Sequence, residues 1–459
     1  MAAPPRVRLP ALVQGAAFAY DSVAFLERSR NRYGDVFEVH LPGMGRFVYV
    51  ADPALVKQVF AADRDIGLAG EARRPFFEPL LGSQSLLTTD GAQWERQRKL
   101  LGPPFHGELI ENYRQQIHDI AAAEVECWPL GMPIPLRPRM QAITLEVILR
   151  LVFGIEDAGR LERLRALLPA LGDKGAWLFW LPPNMRPGWF PPLRSLFAKR
   201  DEVDEILFDE IARRRADPDV AERGDILSLL VTGGEADDQE LRDELMTLLA
   251  AGHETTATAL SWAFERLARH PEVVERIRAE EDEQYLDAVV KETLRIRPVI
   301  IDVIRRLKEP MRLGAWEIPV DRYVAPAIVL VQRSGAIHDD RLEFRPDRFI
   351  GNSGTFAGWI PFGGGRRRCV GSHMALLEMK VVISAVLERV DLEARDPRPE
   401  RARMHHITLV PAKGARLTVR PRSAPGSNGA WRTQSVSRSS SAPGRSSAAP
   451  PHPAGTATA

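Results

Sequence analysis

Cys369 stands in the stretch Trp359 to Gly371, W-I-P-F-G-G-G-R-R-R-C-V-G, and is one of two cysteines in a chain of 459 residues. Three glycines and three arginines precede it, and a helix-like run from His373 to Leu387 follows. Successive glycines lose more backbone entropy than other residues and disfavour regular structure, but they let a loop pass close to a flat group. The arginines place positive charge beside the thiol, and a helix start adds more; both lower a thiol pKa and favour the thiolate. A thiolate on such a loop can hold a metal whose other ligands come from a cofactor. A haem meets that need, because its iron takes one axial thiolate and its propionates pair with arginine. The alternative is a buried structural cysteine beside a basic surface loop.

Three further groups of residues could do chemistry. Trp94 and Arg98 lie four apart in Gly91 to Leu101, a helical pattern, so the indole and guanidinium share a face. A-G-H-E-T-T, Ala251 to Thr256, interrupts the longest helical pattern, Asp238 to His270. Gly252 there costs about 1 kcal/mol against alanine, and a buried Glu254 must find partners or water. Such a break of local rules marks a functional site, or a kink whose polar groups are satisfied. Glu292 and Arg295 lie three apart in Tyr285 to Ile296 and can pair, although a surface pair would contribute little.

Together these motifs resemble the cytochrome P-450 superfamily. Phe362, Gly365, Arg367, Cys369 and Gly371 fill F-x-x-G-x-R-x-C-x-G; Trp94 and Arg98 fill W-x-x-x-R. Ala251 to Thr256 matches the oxygen-activation motif, and Glu292 with Arg295 fills E-x-x-R, completed by Arg348 of P-D-R-F. The resemblance implies a mainly α fold with a small β region and one haem b between the Asp238–His270 helix and the Cys369 loop. It implies Cys369 as the axial ligand and Trp94, Arg98, Arg306, Phe362 and Arg367 as cofactor-binding residues. Arg305 is an alternative to Arg306, and His106 a further propionate candidate. Glu254 and Thr255 are the implied catalytic pair for proton delivery, with Gly252 leaving room for O2 and water. Glu292, Arg295 and Arg348 are implied to fix the loop leading to Cys369.

The implied reaction inserts one oxygen atom from O2 into an apolar organic substrate of the fatty acid, terpenoid, steroid or polyketide class. Electrons would come from NAD(P)H through a ferredoxin and ferredoxin reductase, since no flavin or iron–sulfur motif is present. Arg96, Lys99, Arg366 and Arg368 are expected to form a basic face for an acidic ferredoxin. The rival readings are a peroxide-driven or isomerising haem-thiolate enzyme and a non-catalytic haem sensor.

Composition sets the frame for these residues. Hydrophobic content of 44% supplies a large core, and a net charge of +1 gives no global pull toward nucleic acid. No apolar run approaches the roughly 20 residues of a membrane span, and the first residues lack a signal-peptide core. A cytoplasmic enzyme without a transmembrane anchor is expected, resembling the soluble bacterial members. The aromatic stretch Trp177 to Pro192 is broken by prolines. It either packs on the core or forms a lid over an apolar entrance that touches a membrane surface.

The remaining expectations concern elements. Residues 1 to 18 read as extended, Ala19 to Tyr33 as one helix, 64 to 90 as irregular and Gln141 to Phe153 as a helix. Pro298 to Ile304 reads as a strand, Trp316 to Val331 as strand alternation, and Leu409 to Val419 as a closing hairpin with Met404 to Ile407 a substrate wall. Cys127 reads as a core thiol. The haem-thiolate domain is placed at 1 to 420. Residues 421 to 459 contain no Asp or Glu and four arginines, and such a composition makes a disordered tail.

Overall fold

The longest helix, Asp238–Leu267, is the element on which the computed structural model of this chain is packed. Asp237 starts it, its carboxylate accepting the Glu240 N–H at 2.8 Å, and the helix ends within the expected span. Leu241, Leu245, Leu260, Phe264 and Leu267 are buried in the main core. Helices Leu136–Val147, Pro191–Ala216, Gln284–Ile296 and Ser372–Leu387 lie against it. The structure describes residues 2–422 apart from 63–65, 106, 181–189, 235, 281, 339 and 352–357, with side chains undescribed at 108 and 172–180. One unit spans Met1–Arg422. The tail expected from residue 421 lies, from Ser423 on, outside the described residues, as do His106 and most of Trp177 to Pro192.

A small five-stranded sheet flanks the helices. Val36–Leu41 pairs antiparallel with Gly45–Val50, which runs parallel to Tyr323–Pro326. Tyr323–Pro326 pairs antiparallel with Arg305–Leu307, and Gly67–Leu68 forms the far edge. The architecture is therefore mainly α with small β regions, as the motifs imply.

Several elements differ from the sequence expectation. The N-terminal segment holds two helices, Ala11–Tyr20 and Ser22–Tyr33. Asp21 breaks them apart because its side chain caps Ala24 N–H at 3.0 Å. Ala69–Leu81 is helical although Pro75 and Pro79 lie inside it, and those prolines hid its period. The expected Gln141–Phe153 helix is Leu136–Val147 followed by a π turn, Ile148–Val152. Pro298 to Ile304 forms no strand, only a bridge from Ile300 to Thr408. Ile328–Gln332 is a buried short helix where alternation suggested strand. Thr408–Pro411 pairs back with Ala402–His405, while Arg416–Pro421 joins Pro133–Pro135 and Val390–Glu393. Cys127 is exposed at the end of helix Arg114–Glu126 and is not a core thiol.

The Glu292 pair is buried rather than superficial. Neither Glu292 nor Arg295 has exposed side-chain surface, and Arg295 Nε and Nη2 donate to the carboxylate at 2.6 and 2.8 Å. Arg348 Nε adds a third bond at 3.1 Å and Arg345 N–H a fourth at 2.8 Å. Arg295 also donates to the carbonyls of Gln332, Arg341 and Glu343. Removing one partner would strand the other charge without water. We expect Glu292→Gln to cost about 3–5 kcal/mol, read as a lower midpoint in denaturant unfolding of the holoenzyme; an unchanged midpoint would show that the pair does not hold this region.

Candidate functional site

Cys369 lies on a loop tied to the helix Gln284–Ile296. The Trp359 indole N–H donates to Lys291 O at 3.1 Å, and Ile360 N–H to the Gln332 side chain at 3.0 Å. Cys369 N–H closes the loop on Phe362 O at 3.0 Å, and the Phe362 ring meets Trp359 edge-on at 6.0 Å. Gly363 and Gly365 take φ of +68° and +65°, which other residues adopt at a cost. A Cβ on Gly364 would stand 2.5 Å from the Phe60 ring. The glycines thus serve the turn and its packing on the protein itself.

Cys369 is solvent-accessible, yet the surrounding protein desolvates its thiol. Burial pushes the thiol pKa up and outweighs the Gly371 N–H and the nearby Arg98, Arg368 and Arg73 charges. The arginines and the backbone N–H at the helix start do lower it, as expected, but desolvation of the anion is the larger effect. A metal bound there would remove the proton itself.

The long helix is laid bare at its centre. Ala250 and Ala251 are exposed and Gly252 to Thr255 partly so, between turns that are buried on both sides. Thr255 Oγ1 donates to Ala251 O at 2.5 Å. Gly252 packs on Ile148, whose Cδ1 a Cβ would approach to 2.9 Å. Its absent side chain therefore admits the neighbouring helix, where the sequence expectation was room for O2 and water.

Glu254 turns toward other elements. Arg137 Nη2 donates to its Oε1 at 2.5 Å and Gln141 Nε2 to Oε2 at 2.8 Å, both from helix Leu136–Val147. Thr258 Oγ1 adds a bond at 3.3 Å. Arg137 also donates to His405 Nδ1 at 3.3 Å, in the hairpin that the Trp262 indole bonds through Leu409 O. Burial alone would raise the Glu254 pKa, but Arg137 and Gln141 hold it below the usual carboxylate range. His253 beside it is pushed down by burial to about 4 and bonds Thr144 at 2.9 Å, so it is neutral. A groove of ≈ 870 Å³ lined by Ile120, Gln141, Glu146 and His253 reaches this cluster from outside. Arg137 and Gln141 escaped sequence reading, since no local motif marks them, and His405 was read only as part of the Met404 to Ile407 substrate wall.

The expected cofactor-binding residues divide. Trp94 is buried, with Arg367 over its ring at 4.2 Å. The Arg367 guanidinium is taken by the Asp90 carboxylate and by Thr89 O at 2.7 Å, so its charge is already neutralised. Arg306 points outward to Glu71 and Asp321, each at 3.1 Å. The alternative, Arg305, is the buried one, 1% exposed and stacked over Phe60. Strand alternation makes this choice, as successive side chains face opposite sides. Arg98 has no carboxylate partner among the described residues; burial lowers its pKa and the Cys369 thiolate partly restores it. Of the expected basic face, Arg96 turns inward to Glu240 and Arg366 pairs with Glu95, while Lys99 and Arg368 remain exposed. A solvent-accessible Cys369, a bared helix centre and a partly buried Arg98 with no carboxylate partner among the described residues fit a flat anionic group such as haem.

Comparison with known proteins gives a consistent result. The family model described as Cytochrome P450 matches residues 4–419. Cytochrome P450 135B1 of Mycobacterium tuberculosis is 42% identical over 437 residues, 92% of each chain. Cytochrome P450 138 of the same organism is 37% identical over 430 residues, 91% of this chain and 96% of that one. Retinoic acid bound cyanobacterial CYP120A1 superposes with a TM-score of 0.80 at 22% identity, over 92% of this chain and 100% of that one. The cytochrome P450DA heme domain gives 0.82 at 23%, over 92% and 98%.

The Arg137–Glu254 pair carries a pH signature. A carboxyl held below its unfolded pKa contributes stability that is fully present above the unfolded value and is lost as pH falls through the folded one. Arg137→Met should lower stability by about 2 kcal/mol near neutrality, and the gap from the parent should close toward acid. Unfolding midpoints across pH check this; a gap that is constant with pH would assign the loss to packing.

Proposed function

This chain belongs to the cytochrome P450 family, and from that premise we propose that Cys369 is its axial thiolate and that it oxidises a fatty acid, terpenoid, steroid or polyketide. Membership makes it an oxidoreductase carrying haem b on a cysteine thiolate and using O2 to oxygenate a small organic molecule. The observation that carries the residue assignment is the solvent-accessible Cys369 close to Arg98, which has no carboxylate partner among the described residues.

Arg98, Arg305 and the Trp94 indole are the residues proposed to hold the haem's anionic edge, with Phe362 packed beneath the loop. When bound, haem would supply two-electron activation of O2, and a thiolate ligand from Cys369 would favour O–O cleavage. The protein's part is to hold the substrate dry and to deliver protons. Thr255 holds one at Oγ1, on the exposed turn of the long helix. Glu254 is the proposed reservoir. Its carboxylate must exchange Arg137 or Gln141 for water before it can reload Thr255, so the lock on Glu254 meters proton supply. Gln141 lines the outer groove, which opens a route for water to this pair. Apolar positions such as Ile407, exposed at the hairpin turn, suit a substrate wall.

Electrons are proposed to arrive from NAD(P)H through a ferredoxin and its reductase. In support, the chain has no flavin or iron–sulfur motif, and Lys99 and Arg368 give an exposed basic surface. No helix among the described residues is long and apolar enough to cross a membrane, and a cytoplasmic location belongs to the same proposal.

Three variants test the assignment. Cys369→Ser should lose the red-shifted Soret band of the reduced carbon monoxide complex, whereas Cys127→Ser should keep it; the reverse pattern would move the ligand to Cys127. With O2, NADPH and surrogate redox partners, Thr255→Ala should keep consuming NADPH while product per NADPH falls about tenfold and hydrogen peroxide rises. Full coupling in that variant would remove Thr255 from the proton route.

A further inference from the structure

The helix Ala11–Tyr20 buries a polar side chain and exposes apolar ones. Its buried face carries Gln14, which is 4% exposed, with Ala17 and Phe18 packed on the second core. The Gln14 amide is fully used: Nε2 donates to Leu9 O at 2.7 Å and Val7 O at 3.2 Å, and Oε1 accepts His40 N–H at 2.9 Å. The outward face carries Leu12, Val13, Ala16 and Tyr20, within an arc of about 100° at helical spacing. Leu12 and Tyr20 are each 78% exposed, Val13 47%, and the preceding Leu9 46%. Ordinary surface helices turn polar residues outward. A contiguous apolar stripe left in water needs something to cover it.

The charges around the stripe identify the cover. Residues 1 to 20 contain Arg6 and Arg8 and no acid. Arg6 pairs with Glu38, while Arg8 is exposed with no ion pair among the described residues. The helix packs beside strand Ala402–His405, whose Ala402 and Met404 face the core, so that Arg401 and Arg403 alternate outward. The adjacent carboxylate, Asp21, caps Ala24 and lies 3.8 Å from Arg401. A two-fold contact with a second copy of this chain would press like charges together. Anionic lipid headgroups over a shallow apolar layer match both the stripe and its cationic rim, and a tyrosine at the end suits the interface.

We propose that Ala11–Tyr20 is a membrane-surface anchor, lying flat on an anionic bilayer with Leu9, Leu12, Val13 and Tyr20 among the acyl chains and Arg8 and Arg403 on phosphates. The contact is peripheral and needs no spanning segment. It acts independently of which substrate the enzyme oxidises.

Co-sedimentation of the holoenzyme with phosphatidylcholine vesicles, with and without phosphatidylglycerol, tests this. The parent should bind only the phosphatidylglycerol vesicles and release with salt. The doubly substituted Leu12→Glu, Val13→Glu protein should bind at least about tenfold more weakly with an unchanged haem spectrum. Arg8→Gln with Arg403→Gln should weaken binding and flatten its salt dependence. Failure of the parent to bind, or equal binding by the Leu12/Val13 variant, would overturn the proposal. So would self-association of the parent in vesicle-free solution that this variant abolishes, since the cover would then be a second copy.

Discussion

Glu292 and Arg295 have no water to fall back on, so each must be satisfied by the protein or the helix that carries them could not be buried. Their remaining hydrogen-bonding capacity is spent on other parts of the chain. Arg295 reaches three carbonyls between Gln332 and Glu343, and Glu292 accepts from Arg345 and Arg348. Gln332 returns its amide to Leu294 and Arg295 carbonyls and accepts Ile360 N–H. The start of the Cys369 loop is therefore hung from one helix by polar bonds in a water-poor interior, where geometry is narrow. That narrowness fits a single axial cysteine, which has no neighbouring ligand to correct an error in its position.

The same rule sorts the arginines around the site. A guanidinium that is partly desolvated finds a carboxylate where one is in reach: Arg367 with Asp90, Arg96 with Glu240, Arg306 with Glu71. Arg98 is desolvated with no carboxylate partner among the described residues, at the expense of its own charged form. Such an uncompensated cation is tolerable when a bound anion completes it. At Glu254 the order reverses. Its carboxylate holds a cation and two further donors, so it is stable where it is and must be released before it can take the proposed proton role.

Much of the plan was legible because short motifs carry it. Phe362 to Gly371, Ala251 to Thr256 and the Glu292–Arg295 spacing each state a chemistry within a few residues, and the long apolar period of the central helix survives its polar interruption. Where sequence reading failed, the cause was usually a contact between distant segments. Leu409 to Val419 looked like one hairpin, but its halves pair with strands from three other places in the chain. Gly252 looked like space for a ligand and is filled by Ile148 from another helix. Ala69–Leu81 was hidden by two prolines that a locally supported helix accommodates.

By itself the sequence determined the family pattern, the candidate ligand and the polar break in the long helix, because those depend on residue type and local spacing. It left open which of Arg305 and Arg306 faces inward, since adjacent strand residues are equivalent until one side of the sheet is covered; the burial of Arg305 settled it. It could not show that Glu254 is held by Arg137, 117 residues away, or that the Cys369 thiol is raised rather than lowered. Those outcomes turn on desolvation and on partners brought from remote segments, and both exist only once the chain has packed.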